Sequence, residues 1–327
     1  MGETLIKPVK EKELEDKDYK ILKYGAGNMQ GWRLKNEDAH ICEEIDKKYY
    51  IFGVFDGHGG PEVALYVKNH FIEEFKKNKN FKINFGKCLE ETFYKLDELL
   101  LTDDALKELI SIRKNYKNIN EKYLKKVLNK DELIIYNFLM LEKYDKDIPF
   151  STGCTACVCV IDSVQKKIIF ANSGDSRAII IGKNNEIKQI TKDHKPDNAT
   201  EKERIYNAEG CVNENRVDGE LNLSRTIGDL RFKNNKKFDI DKQKIICTPD
   251  IFEENLNDIQ YIVIGCDGIY DCMSNEKLGK FILNNIKNSK NISSLIGNLM
   301  DHNIPEDLYA NDGIGGDNMT CIIIQNK

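Results

Sequence analysis

The stretch that decides the fold is Ile51-Phe52-Gly53-Val54-Phe55-Asp56-Gly57-His58-Gly59-Gly60, in which an apolar run stops at a carboxylate, a glycine turn and an imidazole. The apolar run predicts a β-strand, and the glycines after it predict a sharp turn. A hard anionic ligand, Asp56, and a titratable proton donor, His58, are therefore expected at the end of a strand.

The same pattern recurs further along the chain. The apolar run 168–174 ends at Asp175, the run 261–266 ends at Asp267, and Asp317 precedes the apolar segment 319–324. Carboxylate oxygens suit hard cations such as Mg²⁺ or Mn²⁺ rather than zinc. The first hypothesis is therefore a metal site built from carboxylates that carries out hydrolysis.

Composition excludes several classes of protein. The chain has 327 residues and a net charge of −5, so it has no basic field that would predict binding to nucleic acid. Its ten cysteines lie mostly in apolar runs and no signal peptide is visible, which indicates reduced thiols. The longest uncharged apolar stretch, 150–161, is about 12 residues and too short to span a bilayer. We expect a cytoplasmic or nuclear protein, monomeric and without integral membrane contact.

The chain reads as a charged leader over residues 1–18 and one catalytic domain over 19–327. Strand-like runs pair non-locally and helices come in consecutive pairs, which predicts an α+β fold of packed sheets flanked by helices. A Lys-, Asn- and Leu-rich segment at about 102–150 is helical in pattern and is interpreted as an insertion. This insertion is either a solvent-exposed addition to the domain or a surface on which a substrate or partner docks.

Metal-assisted phosphate hydrolysis needs several kinds of group. Two cations require a bridging carboxylate and further oxygen ligands, for which Asp56, Asp267 and Asp317 are the candidates. A cationic fork must hold the phosphate oxygens, as Arg33 could do. A general acid should protonate the leaving group, and His58 is the candidate because it lies two residues from Asp56.

Several short motifs follow one another along the chain. They are MQGWR at 29–33, EDAH at 37–40, VFDGHGG at 54–60, GCTA at 153–156, NSGDSR at 172–177, DHKP at 193–196, EKERI at 201–205, LSRTIGD at 223–229, CDGIYD at 266–271 and GDNMT at 316–320. In this order they resemble a known family, the metal-dependent protein phosphatases of type 2C, which act on phosphoserine and phosphothreonine. The resemblance covers nearly everything from about residue 20 onward except the insertion.

The resemblance implies a β-sandwich of two antiparallel sheets flanked by pairs of α-helices, with two Mg²⁺ or Mn²⁺ ions at one end. Asp56 would bridge the ions. Asp267 and Asp317 would complete one ion site, and Glu37 with the carbonyl of Gly57 would complete the other.

Further roles are implied in the same way. Asp38 would orient a bound water, Arg33 would bind the phosphate, and His58 would be the general acid. Asp175 and Asp271 match positions that can hold a third, weaker ion, although structural hydrogen bonding is an equal alternative for both. Residues of about 194–225 match the flap beside the active site.

The implied reaction is direct attack of a metal-activated hydroxide on phosphorus, in line and without a phosphoenzyme, with phosphoproteins as substrates. Two alternatives stay open from the sequence. One is a pseudophosphatase that keeps the fold and binds phosphoproteins, which loss of Asp56, Asp267 or Asp317 would have favoured. The other is a two-metal hydrolase for small phosphate esters or nucleic acid, and the acidic balance disfavours the nucleic acid.

Overall fold

The computed structural model describes residues 4–127 and 147–327, without the side chains of 117–127. The strands, numbered β1 to β16 in chain order, are Thr4–Asp18, Leu22–Arg33, Ala39–Ile45, Tyr49–Phe55, Gly57–His58, Gly153–Cys154, Ala156–Asp162, Lys167–Ser173, Arg177–Gly182, Ile187–Gln189, Val212–Asn213, Arg216–Val217, Ile227–Gly228, Asp250–Asn255, Ile259–Gly265 and Met319–Asn326. The helices, numbered α1 to α8, are Glu62–Lys77, Phe85–Leu99, Asp103–Val127, Ile148–Ser151, Ala199–Asn207, Asp267–Tyr270, Asn275–Asn285 and Ile292–Asn303.

Two antiparallel sheets form the centre of the molecule. The first has the strand order β1-β2-β16-β15-β9-β10, and the second has the order β14-β8-β7-β4-β3. A short third sheet, β13-β6-β5, follows β4 and carries His58 toward Gly153. This third sheet is what brings the imidazole back over the end of the sandwich.

The strand β4 shows why the sequence is apolar without alternation. Tyr50, Phe52 and Val54 belong to the core between the two sheets, whereas Ile51 and Phe55 belong to the core between the second sheet and its helices. A strand that is covered on both faces must be apolar on both faces. The run 51–55 is therefore a central strand, as the sequence predicts.

Helices cover the outer face of each sheet. The pair α1 and α2 packs on the second sheet, with Phe71 and Phe93 fully buried. The pair α7 and α8 packs on the first sheet, with Leu278 and Leu299 fully buried. The predicted α+β sandwich with flanking helix pairs is confirmed.

The prediction of a charged leader over residues 1–18 was wrong. Thr4–Asp18 is β1, an edge strand that pairs antiparallel with β2 and whose Leu5 and Val9 are buried. Most of the other side chains of β1 are exposed and many are charged. The segment therefore lacks the apolar pattern by which a strand is predicted from sequence. The strand Asp250–Asn255 at the edge of the second sheet is polar for the same reason, since exposed and half-buried residues alternate along it.

The expected insertion begins with a helix. Thr102 precedes α3, and its hydroxyl accepts a hydrogen bond from the backbone N–H of Ala105 at 3.2 Å. The expected boundary near residue 150 falls within α4, and residues 128–146 of the expected insertion lie outside the described residues. Across the ranges that the structure describes, none of the helices is long and apolar enough to cross a membrane.

Candidate active site

The sheet registers gather the strand ends that carry the predicted site residues. Phe55 at the end of β4 pairs with Ala39 at the start of β3, directly after Glu37 and Asp38. On the first sheet, Gly265 at the end of β15 pairs with Cys321 near the start of β16. Asp56, Asp267 and Asp317 are therefore brought to the same end of the sandwich.

Three carboxylates converge at that end. One oxygen from each of Asp56, Asp175 and Asp267 lies within 4.8 Å of the others. Burial raises the pKa of Asp56 and of Asp267 well above the ordinary value, and repulsion from neighbouring carboxylates, including Asp317, raises both further. A divalent cation would relieve that repulsion, so the residues fit a metal site.

Asp38 adds a second observation in favour of a cation or its bound water. Its Oδ2 accepts a hydrogen bond from the Thr320 hydroxyl at 2.6 Å, whereas its Oδ1 is buried and has no hydrogen-bond partner among the residues that the structure describes. One Asp38 oxygen also lies within 4.8 Å of Asp56 and of the Cys266 sulfur. A buried carboxylate oxygen without a partner is costly, and water or a cation would satisfy it.

Glu37 and Gly57 lie side by side. A Cβ atom at Gly57 would lie 2.2 Å from the carbonyl oxygen of Glu37, so only glycine fits there. The Glu37 backbone N–H donates to Asn318 Oδ1 at 2.8 Å, and burial raises the pKa of the Glu37 carboxyl. Among the described residues, the convergent groups of ligand atoms at this end do not include Glu37 or Asp317.

Two cationic side chains pair with the carboxylates. Arg33 Nη2 lies 2.5 Å from Asp317 Oδ2, and about a third of each side chain is exposed. Lys195 forms an ion pair with the buried Asp175, a contact that the sequence reading missed although DHKP was one of the matching segments. A cleft of about 260 Å³ opens beside Arg33 and Asp317, is bordered by Asp271, and continues along the loop 308–316.

His58 is held by a carboxylate. Its Nε2 lies 2.7 Å from Oδ2 of Asp229, which also accepts a hydrogen bond from the Thr226 hydroxyl at 2.8 Å. Burial lowers the pKa of His58, but the Asp229 carboxylate outweighs that effect and the net pKa is raised. Asp229 was not among the predicted site residues, and its place in the matching segment LSRTIGD was the available signal for this partner.

The insertion helix α3 contacts the backbone next to Glu37. The Tyr116 hydroxyl donates to the carbonyl of Asn36 and accepts a hydrogen bond from the Asn36 N–H at 2.8 Å. One turn earlier, Arg113 Nε donates to the buried Glu62 at 2.7 Å, in the first turn of α1. Helix α3 is therefore attached both to the loop that carries Glu37 and to the helix that follows the DGHGG turn.

Comparison with known proteins agrees with this geometry. The family model for protein phosphatase 2C matches residues 22–113 and 105–307. The chain is 40% identical over 336 residues to the "Probable protein phosphatase 2C 4" of Paramecium tetraurelia, covering 100% of this chain and 99% of that protein. It is 35% identical to the "Probable protein phosphatase 2C 21" of Arabidopsis thaliana, covering 100% and 93%.

Solved structures show the same fold. A phosphatase from a pathogenic strain of Toxoplasma gondii superposes with a TM-score of 0.71 at 22% identity, covering 97% of this chain and 96% of that one. The serine-threonine phosphatase 2C from Toxoplasma gondii gives a TM-score of 0.64 at 17% identity, covering 97% and 99%. The resemblance found in the sequence is thereby confirmed: the chain belongs to the protein phosphatase 2C family and is a metal-dependent protein phosphatase.

Proposed function

We propose that the protein hydrolyses phosphoserine and phosphothreonine in proteins, using two Mg²⁺ or Mn²⁺ ions held by the carboxylates at the end of the sandwich. The observation that carries the proposal is the convergence of Asp56, Asp175 and Asp267 within 4.8 Å, with Arg33 beside the same cluster. Such a set of oxygen donors suits hard divalent cations.

The proposed ligands follow from the resemblance. Asp56 would bridge two ions, Asp267 and Asp317 would complete one site, and Glu37 with the Gly57 carbonyl would complete the other. When bound, the ions supply Lewis acidity, which lowers the pKa of water and polarises the phosphate.

Two further carboxylates have roles beside that set. Asp38, whose Oδ1 is buried without a hydrogen-bond partner in the described part of the chain, would orient the attacking water. Asp175 is the candidate for a third, weaker ion together with Asp271, and its ion pair with Lys195 lies beside that position.

Arg33 is the proposed phosphate ligand. Its guanidinium has five N–H donors, and the contact with Asp317 uses only part of them. Because the side chain is partly exposed beside the cleft, phosphate oxygens can reach the remaining donors. Asp317 then holds the fork in place for bidentate binding.

His58 is the proposed general acid. The bond to Asp229 fixes the orientation of the imidazole and favours its protonated form. Serine and threonine leave as strongly basic alkoxides, so protonation of the leaving oxygen helps them much more than it helps a phenolate. This argument favours alkyl phosphoesters over phosphotyrosine as substrates.

The peptide that carries the phosphate would occupy the cleft beside Arg33, and residues 194–225 would act as the flap. We expect the phosphoprotein to be the only macromolecular partner that the reaction requires, with the enzyme acting as a cytoplasmic or nuclear monomer. Sedimentation at assay concentration tests the oligomeric state, and a dimer would contradict the expectation of a monomer.

The direct test is phosphate release from a phosphothreonine peptide and from the matched phosphotyrosine peptide, with Mg²⁺, Mn²⁺ or EDTA. We expect metal-dependent turnover, faster on phosphothreonine, that Asp56→Asn removes. Asp104→Asn is the control, since this aspartate is 93% exposed on α3. A folded protein without turnover in either metal contradicts the proposed activity, and faster turnover of phosphotyrosine contradicts the proposed specificity.

The role of His58 has its own test. His58→Ala should slow hydrolysis of the phosphothreonine peptide much more than hydrolysis of an activated aryl phosphate, because only the peptide needs a proton on its leaving oxygen. Equal slowing of both substrates would remove His58 from the general-acid role.

A further inference from the structure

The edge strands of the two large sheets come together around three side chains that the proposed reaction does not use. Glu15 lies on β1, opposite Ala26 of β2, while His40 and Cys42 lie on β3, opposite Val54 and Phe52 of β4. Ala26, Val54 and Phe52 all belong to the core between the sheets. Glu15, His40 and Cys42 therefore extend from opposite sheets into the edge of the same interface.

Potential ligand atoms converge at this edge. One oxygen of Glu15, one ring nitrogen of His40 and the sulfur of Cys42 all lie within 4.8 Å of one another, and Nε2 of His40 lies 3.7 Å from Oε1 of Glu15. In a tetrahedral zinc site, bond lengths of about 2.0–2.3 Å separate the ligand atoms by about 3.3–3.6 Å. The three side chains need only small movements to reach that geometry.

The donor set differs in kind from the catalytic one. A thiolate, an imidazole and a carboxylate form a mixed S/N/O set that selects zinc over Mg²⁺ and Mn²⁺. Cys42 is partly exposed, and about half of the Glu15 side chain is exposed, so an ion and a water molecule can reach the site from solvent.

We propose that Glu15, His40 and Cys42 bind one Zn²⁺, with water as the fourth ligand, at a site separate from the catalytic carboxylates. The ion replaces the proton of the Cys42 thiol: the S–H bond breaks, a sulfur–zinc bond forms, and the proton leaves to solvent. Burial raises the pKa of Cys42, so the metal-free thiol carries that proton and its release accompanies binding.

The proposed ion would clip β1 to β3 and so hold the two sheets together at their open edge. Because an assembled site exists only in the folded protein, zinc should stabilise the fold in proportion to its occupancy. This effect is independent of the proposed phosphatase reaction and can be measured without substrate.

The test uses Co²⁺ as a spectroscopic substitute for zinc, with excess Mg²⁺ present to occupy the catalytic carboxylates. We expect a thiolate-to-cobalt charge-transfer band that saturates at one equivalent and disappears in Cys42→Ser. Cys211→Ser is the matched control, because Cys211 is also partly exposed but lies far along the chain, directly before β11. This variant should keep the band. Glu15→Gln should weaken cobalt binding at least tenfold and provides a second variant if Cys42→Ser does not fold.

Thermal unfolding gives an independent readout. Under the same excess of Mg²⁺, added Zn²⁺ should raise the Tm of the wild type and of Cys211→Ser but not that of Cys42→Ser. A folded wild type without the cobalt band overturns the proposal. So does a band or a zinc-dependent Tm shift that persists in Cys42→Ser, since the ion would then be bound elsewhere.

Discussion

Replacing Glu201 with glutamine should destabilise the protein in a way that depends on pH. Glu201 lies on α5 within the proposed flap, its side chain is 2% exposed, and its carboxylate accepts hydrogen bonds from two arginines. Arg225 Nη2 lies 2.7 Å from Oε1 and Arg204 Nη1 lies 2.6 Å from Oε2. Glutamine keeps the shape of the side chain but removes the negative charge that Arg204 pairs with, and it leaves Arg225 with Asp250, at 2.8 Å, as its acidic partner.

The magnitude follows from the pKa of the Glu201 carboxyl. Burial raises this pKa, but the hydrogen bond from Arg225 and the charges of both arginines outweigh burial and lower it from 4.5 to about 2. At about 1.4 kcal/mol per pH unit, this difference makes the ionised carboxylate worth about 3 kcal/mol to the folded state. Loss of one partner from a buried ion pair costs about 3–5 kcal/mol, which agrees.

The sign of the pH dependence is fixed by the direction of the shift. Because the folded pKa lies below the unfolded one, the stabilisation is complete above about pH 4.5 and is lost as the pH falls toward 2. Between pH 7 and pH 4 the wild type should lose about 0.8 kcal/mol of this contribution. Glu201→Gln has no such proton to bind, so its deficit relative to wild type should shrink by that amount.

Urea unfolding in EDTA at pH 7 and at pH 4 measures these free energies of unfolding without metal linkage. Glu203→Gln is the matched control because Glu203 is exposed on the same helix, and it should change stability by less than about 0.5 kcal/mol. The reasoning is refuted if the two variants are equally stable at pH 7. It is also refuted if the Glu201→Gln deficit stays constant between the two pH values.

Three further predictions concern the metal site. Asp267→Ala should abolish turnover and the Mn²⁺-induced rise in Tm. In EDTA its Tm should equal or exceed that of wild type, because the substitution removes a carboxylate that neighbouring carboxylates repel. A lower Tm in EDTA would contradict this expectation. Tyr116→Phe should raise the Mn²⁺ concentration needed for half-maximal activity several-fold, because the hydroxyl braces Asn36 beside Glu37; an unchanged metal titration would show that this contact is not used. Gly57→Ala should lower the Tm and abolish activity, because its Cβ would lie 2.2 Å from the Glu37 carbonyl oxygen, and wild-type values for both would refute the close approach.

Most of the candidate site residues could be predicted from short stretches of sequence. Asp56 and Asp267 directly follow apolar runs, and Asp317 lies two residues before one, so each was predicted from its own few neighbours. They lie at the same end of the sandwich because the antiparallel strands that carry them end there, as the sheet registers show. The layered fold was predictable for the same reason, because strands and helix pairs have strong local patterns.

Features that depend on distant partners were not predictable in this way. Asp229 is separated from His58 by 171 positions, and the residues next to Asp229 in the sequence do not indicate that the imidazole is its partner. The strand β1 was missed because its charged, exposed side chains hide a pairing that only β2 reveals. The contact between Tyr116 and Asn36 likewise joins a helix and a loop 80 positions apart.

The strand order of the first sheet also sets the order in which the protein can fold during synthesis. The second sheet draws all its strands from residues 39–255, so its pairings can form before β16 is synthesised. In the first sheet, β2 from the beginning of the chain pairs with β16, the final strand. Closing that pair brings together almost the whole chain, a slow step because loop-closure entropy opposes it.

Until β16 leaves the ribosome, one edge of β2 and one edge of β15 stay unpaired and open to other strands. Residues 319–326 follow the predicted ligand Asp317 and also complete the first sheet. A chain truncated before residue 319 would have a formed second sheet and two exposed strand edges in the first sheet. Such truncated chains should aggregate rather than accumulate as a smaller folded protein.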